Sequence, residues 1–178
     1  SFCFHLNPNN DLMVIKFRRT ASRKIEIIKL SPSSDFGIVQ QHISTSIYQH
    51  SSPFVFLTKP NSRDAVIIKK LGTDSRSTEI LILSSKENYE EYSLKAKSAL
   101  PETDESYAFC MAYNGDIFAI KQHDNPSGKT VLTILSAESK YKSIVRTVNT
   151  VLHETDHHYA FAIASNNDLF VFKKKGSS

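Results

Sequence analysis

Apolar and β-branched residues along the chain gather into fourteen short runs separated by polar, turn-forming material, and the runs recur in a fixed order. The first copy predicts strands at 2–6, 11–17, 24–30 and 38–47, and the second at 54–58, 64–69, 78–84 and 92–100. A third copy follows at 107–112, 116–121, 130–136 and 144–152, then a partial one at 159–164 and 168–173. The second run of each copy is nearly all apolar: Leu12-Met13-Val14-Ile15, Ala65-Val66-Ile67-Ile68, Ile117-Phe118-Ala119-Ile120 and Leu169-Phe170-Val171-Phe172. A continuous rather than alternating run predicts a strand covered on both faces. The fourth run is polar, as in Gln40-Gln41-His42-Ile43-Ser44 and Lys95-Ala96-Lys97-Ser98, and predicts an outer edge blunted by charge. Between first and second runs lie Asn7-Pro8-Asn9-Asn10, Pro60-Asn61-Ser62-Arg63, Asn114-Gly115 and Asn166-Asn167, turn residues that tolerate positive φ and predict hairpins. Segments 86–92 and 137–141 are at most one helical turn each.

The landmarks keep one step. Phe4, Phe56, Phe109 and Phe161, with Asp11, Asp64, Asp116 and Asp168 and with Lys16, Lys69, Lys121 and Lys173, recur about every 52 residues. A unit copied at that step cannot bury its apolar face alone, so neighbouring copies must stack around shared cores. The chain therefore reads as a single repeat domain with copies at 1–52, 53–105 and 106–157 and a partial copy at 158–178. The predicted class is all-β: tandem four-stranded antiparallel repeats, β-propeller-like, with a β-trefoil as the alternative. Three complete units suit a trefoil, but the extra hairpin does not. Fourteen strands also fall short of four full blades, so closure between chains, a homo-oligomer, is one expectation.

Composition narrows the classes further. With 5 Gly, 6 Pro and 40% hydrophobic residues, the chain reads as globular rather than disordered. No apolar run approaches the roughly 18 residues of a membrane span, so no membrane insertion is expected. The net charge of +4 is spread mostly singly at strand ends, the denser runs being 17–19 with 23–24 and 173–175, which argues for a solvated surface and no nucleic-acid partner. Cys3 and Cys110 belong to first strands of different copies. Counting from Asp11 and Asp116 aligns Cys3 with Ala108 and Cys110 with His5; alternation is expected to point the two thiols to opposite faces, as free thiols without metal-ligand spacing.

Asn114-Gly115-Asp116-Ile117-Phe118-Ala119-Ile120-Lys121, Ser77-Thr78-Glu79-Ile80-Leu81-Ile82-Leu83-Ser84, and the connectors Glu102-Thr103-Asp104 and Glu154-Thr155-Asp156 carry a resemblance. The chain resembles FG-GAP-type β-propeller repeats of extracellular and lectin-like proteins over nearly its whole length, with copy one diverged at Gln49-His50-Ser51. That resemblance implies a propeller, a secreted or extracellular setting, and glycans or glycoproteins as partners. Calcium, held by many such repeats, is not expected. The hairpins at Asp116 and Asp168 carry one carboxylate each, whereas the ion needs several; no cofactor or metal is expected.

Catalysis needs particular residues once, not the same ones in every copy. His153, His157 and His158 lie in a connector where their spacing has no ligand meaning, and no serine sits in a nucleophile elbow, so no enzyme activity is expected. Carboxylates beside a ring suit saccharides, which bind through a planar apolar face and directed hydrogen bonds. The candidate ligand residues are Asp104, Tyr107, Asn114, Asp116, Asp156, Tyr159, Asn166 and Asp168; with no Trp in the chain, the stacking rings are tyrosines. The competing explanation makes these groups turn locks and inter-sheet filling. The expected function is multivalent carbohydrate binding between repeats, with a protein-interaction or self-assembly scaffold as the alternative.

Overall fold

The computed structural model describes residues 2–7, 9–49, 54–154 and 159–173. Among them are fourteen strands: β1 (Phe2–Leu6), β2 (Leu12–Lys16), β3 (Lys24–Leu30), β4 (Val39–Tyr48), β5 (Phe54–Thr58), β6 (Ala65–Lys69), β7 (Ser77–Leu83), β8 (Tyr92–Pro101), β9 (Tyr107–Met111), β10 (Ile117–Lys121), β11 (Lys129–Leu135), β12 (Ile144–His153), β13 (Tyr159–Ile163) and β14 (Leu169–Lys173). Every predicted segment is a strand, its ends within one residue of expectation. The strands pair in chain order into antiparallel sheets β1-β2-β3-β4, β5-β6-β7-β8 and β9-β10-β11-β12 and a two-stranded β13-β14. One short element departs from this pattern, a 3-10 turn at Pro32–Ser34 capped by the Ser31 hydroxyl.

The chain divides into two compact units, residues 1–69 with 80–95 and residues 70–79 with 96–178. In the first, the face of the first sheet carrying Met13, Ile15, Ile25 and Ile27 packs on the face of the second carrying Phe54, Phe56, Ile67 and Leu83. Phe17 meets Phe54 and His5 meets Phe56, each with ring centroids 5.8 Å apart. In the second unit, Cys110, Ala112, Phe118 and Ile120 of the third sheet pack against Phe161, Ile163 and Leu169 of the β13-β14 hairpin. The two cores repeat one another: Phe118 stands two repeat steps on from Met13, and Phe161 two from Phe56.

This register corrects one expectation. Positions equivalent to 3 and 5 differ by two, so alternation sends Cys3 and Cys110 to the same face of their sheets, each into its own core. Burial pushes both thiols up to about 11. A second expectation holds in part. β6 and β10 are buried on both faces at all four apolar positions, whereas in β2 Met13 and Ile15 are buried and Leu12 and Val14 only half-buried. In β14, Phe170 and Phe172 are exposed. Apolarity on both faces states what a strand can bury; a neighbouring sheet decides whether it does.

Candidate functional site

The hairpin ends are built by one local device in four spellings. Asn114 Oδ1 accepts from the Asp116 N–H (3.0 Å) while Asn114 Nδ2 donates to Asp116 Oδ2 (2.8 Å). Asn166 and Asp168 repeat it at 3.1 and 2.6 Å, and Asn7 and Asp11 at 3.0 Å for both bonds. In the second copy Ser62 replaces the amide, its hydroxyl 2.7 Å from Asp64 Oδ2. The remaining oxygen of Asp116 accepts from the Ala137 N–H (2.8 Å), and that of Asp64 from the Ser85 N–H (2.9 Å), so each carboxylate also ties the hairpin to the loop between the third and fourth strands. Asn114, Asp116, Asn166 and Asp168 are thus committed to turn geometry.

The connector residues lie elsewhere. Asp104 accepts from both the N–H and the hydroxyl of Ser106, and these bonds, against burial and helped by Lys70, hold its carboxyl below the usual range. Lys70, whose ammonium burial pushes below its ordinary pKa, donates to the Tyr107 carbonyl at 3.2 Å. The Tyr107 ring stacks on Phe109 at 6.3 Å, and Tyr159 meets Phe161 edge-on at 6.1 Å. Asp104 and Tyr107 stand at one end of β9 and Asn114 and Asp116 beyond the other, roughly 15 Å apart for a strand of that length. Asp104 and Tyr107 therefore do not share a pocket with Asn114 and Asp116. Asp156 lies outside the described residues, as do Thr155, His157 and His158. Glu102 and Glu154, which precede the candidates, accept from the backbone N–H groups of Thr73 (2.7 Å) and Asn125, and Gln49 does the same for Thr20 at 3.4 Å.

A different set of residues does converge. Within the first unit, a cleft of about 620 Å³ is lined by Asn7 and Asn9 of the first hairpin, Lys29 of β3, Gln41 of β4, Asn61, Ser62 and Arg63 of the second hairpin, and Ser85, Lys86, Asn88 and Tyr89 of the β7–β8 loop. Its walls are held firmly. Tyr89, buried and in the left-handed region (φ 62°), donates its hydroxyl to the Arg63 carbonyl at 3.2 Å, and Arg63 itself turns the hairpin at φ 61°. Ser85 Oγ bonds the Ser62 carbonyl (2.7 Å) and Asp64 Oδ1 (3.1 Å). Lys29 pairs with the buried Asp11 at 2.9 Å. Burial pushes that carboxyl up, but the bonds from Lys29 and Asn7 and the fields of Lys29 and Arg63 bring it below its ordinary value. The lining therefore presents amides, hydroxyls and three cationic side chains, while Asp11 and Asp64 are turned to intramolecular partners behind it.

The sequence held a signal for this cleft. Arg63 occupies the left-handed turn position that Asn10, Gly115 and Asn167 fill in other copies, and Lys86 stands where the repeat has Ser33 and Glu138. Both are single-copy cations on a repeated frame, the kind of departure a ligand site requires. No protein-family model matches the chain, and no curated protein or solved structure matches it either.

Proposed function

We propose that this is a non-enzymatic carbohydrate-binding repeat protein of β-propeller type, with a saccharide held in the polar cleft formed by the first and second hairpins and the β7–β8 loop. The cleft carries the proposal. Amide and hydroxyl groups from several separate segments, fixed by the Tyr89, Ser85 and Asp64 bonds, supply the directed hydrogen bonds that a polyhydroxylated ligand needs. Arg63 and Lys86, with Lys29 already paired to Asp11, add positive potential, which favours a glycan bearing a carboxylate or sulfate over a neutral one. Sequential strand order in each four-stranded sheet supports blades over a trefoil. The recurrent carboxylates, held in turns and ion pairs, support binding rather than acid–base chemistry.

Binding to an array that includes acidic and sulfated glycans, followed by titration calorimetry, tests this reading. Arg63→Ala is expected to weaken the best ligand at least about tenfold, as the loss of a charge-assisted bond predicts, and raised salt to weaken it further. A broad array without a hit, or a hit that Arg63→Ala and Lys86→Ala leave unchanged, overturns the cleft as the site. A self-assembly scaffold is the second reading, favoured by the exposed aromatic side chains of β1 and β14.

A further inference from the structure

Two of the apolar faces left uncovered among the described residues, those of β1 and β14, are matched halves of an interface the chain already makes. Phe54 and Phe56 are each 8% exposed where they pack on the first sheet. Their register equivalents in the first copy, Phe2 and Phe4, are 57% and 68% exposed, and Leu6 beside them 56%. The opposite half behaves in the same way. Met13 and Ile15, which meet the second sheet, are 1% and 0% exposed, and Phe118 and Ile120, which meet the β13-β14 hairpin, are 9% and 1%. Their equivalents in the partial copy, Phe170 and Phe172, are 51% and 57% exposed.

Both of these packings, one in each unit, use the same pair of surfaces: the face carrying the Met13-type residues on one sheet, the face carrying the Phe56-type residues on the next. One uncovered face is of the first kind and the other of the second. Exposed phenylalanines in this number mark a surface meant to be covered, and the repeat itself specifies the shape that covers it.

We propose that copies of this chain associate head to tail, the Phe170–Phe172 face of β14 in one copy packing on the Phe2–Phe4 face of β1 in the next. The contact is heterologous, since a different surface is used on each partner, and it closes into a ring or extends as a filament according to the rotation between copies. It is distinct from the saccharide cleft, whose residues lie in the first two hairpins, the β7–β8 loop and strands β3 and β4.

Light scattering on the whole chain tests it, with two variants at exposed positions, Phe4→Asp and Phe170→Asp, whose folding is checked by circular dichroism and cooperative melting. The unaltered chain is expected to show a mass of at least twice its 20.1 kDa at micromolar concentration. Each variant alone is expected to fall to the single-chain mass. An equimolar mixture of the two regains a two-chain species, because the intact β14 face of Phe4→Asp meets the intact β1 face of Phe170→Asp. A single-chain mass for the unaltered protein, association that survives either substitution, or a mixture that stays at single-chain mass overturns the proposal; the last result is what a like-to-like interface gives.

Discussion

Copies two and three lock the hairpin between their first two strands to the loop before their fourth strand by the same two bonds, and copy one keeps the left-handed aromatic residue of that loop without them. In copy two the Ser85 N–H donates to Asp64 and the Tyr89 hydroxyl to the Arg63 carbonyl; in copy three Ala137 and Tyr141 do the same for Asp116 and Gly115, at 2.8 and 3.1 Å. The equivalent residues of copy one are Pro32, which has no N–H, and Phe36, which has no hydroxyl. Asp11 takes the Lys29 ammonium instead, and Phe36 is 41% exposed where Tyr141 is 1%. The aromatic residue keeps its left-handed conformation in all three, at φ 59°, 62° and 65°. The backbone path of the loop is therefore the constant, and copy one keeps it without the two side-chain bonds that hold it in the other copies.

The comparison breaks most sharply at the tyrosine. Tyr141 is buried beneath the third hairpin, and burial, then the Asp116 carboxylate, pushes its hydroxyl up to about 12, so it stays a donor across the working range. Tyr141→Ala is expected to destabilise the protein by about 3–5 kcal/mol as a buried aromatic truncation. Tyr141→Phe, which loses only the hydroxyl bond, is expected to cost about 1 kcal/mol. Phe36→Ala, at the exposed equivalent, should cost less than Tyr141→Ala by most of that difference. Denaturant midpoints for the three variants measure this; equal losses at 36 and 141 would show that the two loops bear on stability alike.

Acid sharpens the same contrast. Because the folded-state pKa of Asp11 lies below its unfolded value, its contribution is fully present above the ordinary carboxylate range near 3.8 and is lost as pH falls through the folded value. Lys29→Met leaves the buried carboxylate of Asp11 without its cation, so that variant is expected to be less stable than the unaltered chain at neutral pH and to close the gap as pH falls through the lowered folded-state pKa of Asp11, below which the carboxyl is neutral in both. Melting temperature against pH for both proteins is the measurement, and a constant difference across that range would remove the ion pair as the cause.

The strands were legible in the sequence because β-branched and aromatic runs between Asn-rich turns encode a local preference that packing reinforces. Asp116 was also legible as a turn residue, although its bond to Ala137, 21 positions on, was not. The loop tyrosines are not legible locally, because no local rule places an aromatic residue in the left-handed region; only the recurrence of Tyr89 and Tyr141 at the repeat step marks them. The candidate site was legible only as a type of chemistry. Asp104 and Tyr107 are close in sequence, but a five-residue strand carries the turn at Asn114 away from them, while the cleft draws on segments from Asn7 to Tyr89 that no spacing connects. Which faces would lie uncovered was hidden for the same reason, since Phe4 and Phe56 are identical in their local pattern.

The smallest effect is the most informative about interchange. If the missing N–H of Pro32 is why Asp11 recruits Lys29, then Pro32→Ala restores a donor at the position where Ser85 and Ala137 serve the other copies. Alone it should change stability little, because the new bond, about 1 kcal/mol, is offset by the 0.4–1 kcal/mol or so that proline gains by restricting the unfolded chain. In the Lys29→Met background the same substitution supplies Asp11 with the partner it has lost, so the two changes together should cost less than their sum by at least about 0.5 kcal/mol, the coupling expected of residues that share one group. Strict additivity in the four-protein cycle would mean that the loop of copy one does not bring position 32 within reach of Asp11, and that its ion pair is an independent solution rather than a substitute for the backbone bond.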